Sequence, residues 1–289
     1  KEGYQQYVAY YDTNSAFFLG FQYLKMYGDL LDIAVANKAI NESQRILSKN
    51  FKKVWGKGIG NVGKTLTKAS SIGKYTKEAI AKEKGFTDIL PNLLKKEGLT
   101  MDDFHYMMQK HANALTPNEI KKLTRIRKAI PKPDENTLMQ KVITEDMANK
   151  YLDGTYNTIG GSVARAVDTK HLKTIEDYYY GLRLDYEKTL FSAGDKYYYA
   201  IRFKTKELDN LNLVIPIDSR FTSEYPFTRN GFTSGNNGRL GIPEYVFDKH
   251  TYVSPQIGAE IWRIKPDGTE ELIGVFKEEN NIERFYKIK

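Results

Sequence analysis

A proline-rich break, Pro131-Lys132-Pro133-Asp134, divides the chain into two textures, and this change most limits what it can fold into. Before the break, Phe17, Phe18, Phe21, Leu24, Leu30, Leu31 and Ile33-Ala34 recur at helical spacing with few breakers. Thr100-Met101-Asp102-Asp103 places carboxylates where a helix dipole favours them. Thr116-Pro117-Asn118-Glu119 reads as N-cap, first-turn proline and capping-box glutamate, opening a helix over 120–130. After about residue 150, strand-like segments take over at 159–167, 197–203, 213–217, 245–247, 260–264 and 272–276. Pro266-Asp267-Gly268-Thr269, between the last two, predicts a hairpin turn. The pattern predicts an α+β chain: an all-α helical region over 1–135, then a mixed α/β domain over 150–289. The short segment 138–149 marks the junction.

Charge follows the same division. Residues 1–145 hold 24 Lys+Arg against 15 Asp+Glu, whereas the rest hold 20 against 21, so the excess positive charge belongs to the first part. Lys52, Lys53, Lys57, Lys64, Lys68 and Lys74, with Phe51 and Trp55 among them, read as a solvated face or a surface for a delivery apparatus. No recognition motif accompanies them, so nucleic acid is not the expected partner. No run of about 18 apolar residues occurs, so stable membrane insertion is not expected. Residues 1–20 lack the order of a signal peptide, and the opening lysine suits a piece of a longer protein. The absence of cysteine excludes a disulfide framework, a thiolate nucleophile and a Cys-ligated zinc. It also suits a chain that crosses between oxidising and reducing compartments.

Several motifs read better as structure than as chemistry. Gly58-Ile59-Gly60-Asn61-Val62-Gly63-Lys64-Thr65 matches a P-loop literally, but the segment before it is polar and lysine-rich rather than a buried strand. The coincidental reading is preferred. His105, His111, His171 and His250 show no paired metal-ligand spacing, and there is no Gly-x-Ser-x-Gly elbow. Glu270-Glu271 and Asp102-Asp103 are adjacent pairs whose side chains diverge.

Three pieces remain, in the order arginine, hydroxyl, carboxylate. They are Val163-Ala164-Arg165-Ala166, Gly231-Phe232-Thr233-Ser234-Gly235, and Tyr252-Val253-Ser254 followed by Gly258-Ala259-Glu260-Ile261-Trp262. Breaking the glycosidic bond of NAD needs a carboxylate near the developing oxocarbenium ion. It also needs a cation that grips the pyrophosphate, where Arg is favoured over Lys. A hydroxyl can orient the site, and an aromatic ring can enclose the nicotinamide. Phe232 and Tyr225-Pro226-Phe227 could supply the ring.

These pieces resemble bacterial ADP-ribosyltransferase toxins of the arginine–serine–glutamate type, over roughly residues 150–289. The resemblance implies an ADP-ribosyltransferase-like fold that takes NAD as substrate. Arg165 would grip the pyrophosphate or ribose, Thr233 and Ser234 would orient the site, and Glu260 would be the catalytic carboxylate. Phe232 and Tyr252 would join them in holding the dinucleotide. Phe232 stands where the family's central motif has its first serine, and Phe221-Thr222-Ser223 is a competing central piece. Gly258 stands where transferases to arginine carry a second Gln or Glu, which leaves another acceptor or plain NAD hydrolysis. The layout is similar to the end of a secreted polymorphic toxin used in interbacterial competition. That implies action inside a target cell, an acceptor macromolecule and a cognate immunity protein, acidic or plugging the cleft. Two rivals stay open. One is an RNA-cleaving toxin using Arg, His171 or His250 with Glu; the other is a non-enzymatic binding or structural module. On the NAD reading, Arg165, Ser234 and Glu260 must line one cleft.

Overall fold

The computed structural model describes residues 73–110, 114–186, 189–209, 212–217, 230–248 and 251–288. The apolar repeat at 17–34, the 58–65 glycine motif, the lysines at 52–68, His111, His250 and the segments 221–223 and 225–227 lie outside the described residues.

Four helices open the described chain: α1 (Lys77–Ala81), α2 (Phe86–Glu97), α3 (Met101–Gln109) and α4 (Pro117–Lys128). Thr100 with Asp103, and Thr116 with Glu119, form reciprocal capping boxes, so both helix starts lie where the sequence puts them. Phe86, Leu90 and Leu94 of α2 bury against Phe104, Met107 and Met108 of α3 and Leu123 and Ile126 of α4. Each such side chain contributes roughly 1.5–3 kcal/mol.

The chain continues through β1 (Met139–Ile143), α5 (Glu145–Leu152), β2 (Ser162–Arg165) and a 3-10 turn (Ala166–Thr169) to α6 (Ile175–Gly181). There follow β3 (Tyr198–Phe203), β4 (Leu213–Val214), β5 (Tyr245–Phe247), β6 (Glu260–Ile264), β7 (Glu270–Glu279) and β8 (Ile282–Lys287). All eight strands form one antiparallel sheet in the order β4-β5-β2-β1-β3-β6-β7-β8. The protein is therefore an α+β chain, with helices at 77–128 preceding an eight-stranded sheet that carries interspersed helices.

Two departures from the sequence reading position the site. The junction segment, not read as a strand, is part of the sheet: its first half is β1, with β2 on one side and β3 on the other. Its polar Gln140 and Lys141 hide a strand whose Met139 and Ile143 are fully buried. The run at 159–167 is not one strand either. Ile159 makes only an isolated bridge to Val253, and pairing begins after Gly160-Gly161.

Side chains alternate across a sheet, so the two faces have different content. One face carries Met139, Ile143, Val163, Ile201, Phe203, Tyr245 and Ile261, packed against Ala148 and Tyr151 of α5. The other carries Val142, Tyr198, Ala200 and Ile264, under Leu172 and the Ile175 and Tyr178 side chains of α6. The helical cluster is tied to the sheet region. Phe232 packs against Phe86 and Phe104, with both ring centroids at 5.6 Å. Arg127 of α4 donates to the carbonyls of Gly231 (2.7 Å) and Glu244 (2.8 Å).

Candidate functional site

The pairing register decides which predicted residues can meet. Arg165 lies opposite Met139 on β1, while the next residue, Gln140, lies opposite Arg202 on β3, which lies opposite Glu260 on β6. Adjacent residues of β1 point to opposite faces, so Arg165 belongs to the Met139 face and Glu260 to the Gln140 face. Three strand spacings of about 4.8 Å also separate β2 from β6, placing the two backbones on the order of 15 Å apart. The structure does not bring Arg165 and Glu260 into one cleft.

Arg165 is already partnered within its own turn. Its Nε and Nη2 donate to the two oxygens of Asp168 at 2.8 and 2.7 Å, a bidentate pair. Burial works against the guanidinium charge, but the hydrogen bonds and charge of Asp168 outweigh it and raise the pKa of Arg165. Asp168 is fully buried and also accepts the backbone N–H of Phe86 at 2.8 Å, tying the start of α2 to the end of β2. This is a structural clamp.

The hydroxyl piece lies elsewhere again. Thr233 Oγ1 donates to the Gly181 carbonyl at 2.7 Å and accepts from the Ile242 N–H at 2.8 Å, joining its loop to the end of α6. Ser234 is buried, and its Oγ has no hydrogen-bond partner among the described residues. Phe232 is fully buried in the helical cluster, so its ring is unavailable for stacking on a ligand. Tyr252 packs at the margin of the large core beside Gly160.

Glu260 sits in different company. Its Oε2 accepts from Trp262 Nε1 at 2.9 Å; the two residues are two apart on β6 and share a face. Its Oε1 accepts the backbone N–H of Lys74 at 2.6 Å, and Oε2 also accepts that of Tyr75 at 3.0 Å. Desolvation first, and the charge of Glu260 second, raise the pKa of the Tyr75 phenol. Glu260 is 2 % exposed because the 73–75 segment covers it.

Beside it, Arg202 is 1 % exposed and carries an ion network of its own. Nη1 and Nη2 donate to the two carboxylate oxygens of Glu270 at 2.7 and 2.6 Å. Nε donates to Gln140 Oε1 at 2.9 Å, and Nη1 also donates to the Tyr75 carbonyl at 2.6 Å. Gln140 in turn donates to Thr169 Oγ1 at 2.9 Å, and the Trp262 ring lies 5.4 Å from the guanidinium. Tyr178 lies against the network, where burial pushes its phenol up to about 12 despite the opposing charge of Arg202. Lys77 Nζ lies 3.4 Å from Glu270; burial lowers its pKa, with Glu270 opposing.

The sequence reading passed over Arg202, Gln140 and Thr169, and set Glu270 aside as one of an adjacent, diverging pair. One signal was present: Arg202 is the single charge inside the apolar run Tyr198-Tyr199-Ala200-Ile201-Arg202-Phe203, and a buried mid-strand charge demands a partner. Gln140 gave no such signal, since its segment did not read as a strand. Chemically, the face presents a carboxylate, a guanidinium and an indole side by side. That set can face a developing cation, hold an anionic oxygen and stack on a flat ring.

Among the described residues, no group of three or more His, Asp or Glu is placed to hold a metal ion, and no helix is long and apolar enough to cross a membrane. Comparison of the chain with protein-family models, with curated proteins and with solved structures returns no match.

Proposed function

We propose that the chain is an NAD-consuming toxin domain, with its site on the Glu260–Arg202 face of the sheet. One observation carries the reading: Glu260 and Arg202 are cross-strand partners on one face, with Trp262 beside both. The phosphate-gripping part first assigned to Arg165 passes to Arg202. Glu260 keeps the part that the resemblance assigns to it.

In the proposed reaction, the bond between the nicotinamide nitrogen and the ribose C1′ breaks, and its electron pair leaves with neutral nicotinamide. Positive charge then develops over C1′ and the ring oxygen, opposite the Glu260 carboxylate. The Trp262 indole N–H fixes one carboxylate oxygen, so little reorganisation is needed as that charge appears. Arg202, aligned through Gln140 and Thr169, holds a phosphate oxygen. Water or an acceptor side chain adds at C1′ and gives up its proton. The ADP-ribosyltransferase-like fold over 150–289, delivery into a target cell and a cognate immunity protein form part of the same proposal.

Incubating the protein with NAD and cell lysate, and following nicotinamide release, tests the reading. The wild type should release nicotinamide, and Glu260→Gln should lose about 100-fold or more, the scale of removing one preorganised electrostatic group. No release by any form, or loss of RNA integrity in the lysate instead, overturns it.

A further inference from the structure

The three groups of the proposed site are covered by a short stretch of the chain's own backbone, and that stretch is chemically matched to them. Gly73 lies against the Trp262 ring so closely that a Cβ at this position would come within 2.4 Å of the indole edge. Its φ of +48° suits glycine, so the contact is built from backbone alone. The Lys74 and Tyr75 N–H groups donate to the two oxygens of Glu260 (2.6 and 3.0 Å), and the Tyr75 carbonyl accepts from Arg202 (2.6 Å). Lys77 then anchors the stretch through the Gly268 carbonyl (2.9 Å) and Glu270 (3.4 Å). Ile80 docks it on Ala166 and Val167.

We infer that residues 73–75 are a tethered ligand mimic, occupying the positions in which the site would hold the nicotinamide mononucleotide end of a dinucleotide. Two N–H donors stand where a vicinal ribose diol would donate to Glu260. A carbonyl oxygen stands where a phosphate oxygen would accept from Arg202. The Gly73 backbone lies against the edge of the Trp262 ring, beside which a nicotinamide ring would be enclosed. This inference rests on the NAD reading and adds a regulation to it: the site opens to substrate only when the 73–81 segment is displaced. Its hold is local, through a few backbone hydrogen bonds, one anchoring lysine and one docked isoleucine. Cleavage or pulling on the chain ahead of residue 73 is the kind of event that would release it.

The test uses the full chain with Trp55→Phe, which leaves Trp262 as the single tryptophan. Gly73→Val forces a side chain into the indole, and Lys74→Pro removes one donor to Glu260. Both should speed amide exchange at Tyr75 and make Trp262 accessible to acrylamide. Both should also raise nicotinamide release at sub-saturating NAD by about tenfold or more. NAD added to the parent chain should likewise speed exchange at Lys74 and Tyr75. If the segment opens but the parent already binds and cleaves NAD equally well, the mimicry is wrong and the NAD reading survives. If the opened variants neither bind nor cleave NAD, the NAD reading is wrong and the mimicry falls with it. If neither variant opens the segment, Lys77→Ala with Ile80→Ala removes its anchors; unchanged exchange in that protein also overturns the inference.

Discussion

Two buried arginines separate a structural charge cluster from a candidate functional one. Arg165 is neutralised by Asp168, three residues away, and Asp168 caps its remaining capacity on the Phe86 N–H. Arg202 is neutralised by Glu270 and hydrogen-bonded to Gln140 and the Tyr75 carbonyl, all distant in sequence. The first cluster closes on itself and locks the helical cluster to the sheet. The second includes the Tyr75 carbonyl, whose contact with Arg202 is separate from the Arg202–Glu270 pair. Burial and charge are similar in the two; the origin of the partners is what distinguishes them.

The comparison breaks most readily at Asp168. Asp168→Ala should cost about 3–5 kcal/mol in denaturant unfolding, because it leaves the Arg165 charge buried and unpaired. Replacing both members, as Arg165→Met with Asp168→Leu, should recover part of that loss; no recovery would mean that the Phe86 N–H contact, not the ion pair, is what matters. On the other face, Arg202→Met with Glu270→Leu should cost about 1–3 kcal/mol, since replacing the ion pair is nearly neutral but Gln140 Oε1 and the Tyr75 carbonyl lose their donor. That same double variant should lose NAD cleavage.

A smaller effect tests the helical cluster alone. Thr116→Ala removes a capping-box hydroxyl from α4 and should cost about 1 kcal/mol, with no effect on NAD cleavage in folded protein. The smallest effect is in pH. Burial lowers the pKa of His171 below its usual value near 6.5, against the opposing hydrogen bond to the Leu240 carbonyl. The unfolded chain therefore takes up a proton first as pH falls. Stability should drop from about pH 6.5 toward the folded-state pKa of His171 and level off below it. His171→Asn should flatten that segment of the stability curve.

Much of the local structure was legible in the sequence. Thr100 and Thr116 announced their helices because capping is a local interaction between residues three apart. Pro266-Asp267-Gly268-Thr269 announced the β6–β7 turn, where Lys265 and Thr269 close a backbone hydrogen bond of 2.9 Å. The strand β1 was not legible, because its polar Gln140 and Lys141 find their partners on other elements, at Thr169, Arg202 and Gly160. Glu260 was singled out by its neighbours Gly258, Ala259 and Trp262, and its role belongs to the proposed function. Arg165 was picked out by the same kind of local likeness, but register is a long-range property, and it puts that side chain on the far face. The order of three residues along a chain says nothing about which face of a sheet each one occupies.

The most direct measurement compares NAD cleavage by two double variants in the opened Lys74→Pro background. One carries Arg165→Met with Asp168→Leu, and the other carries Arg202→Met with Glu270→Leu, each assayed below its own unfolding transition. The account predicts that nicotinamide release persists in the first within a fewfold and falls in the second by about 100-fold. Loss in the first with retention in the second would contradict it and return the site to Arg165.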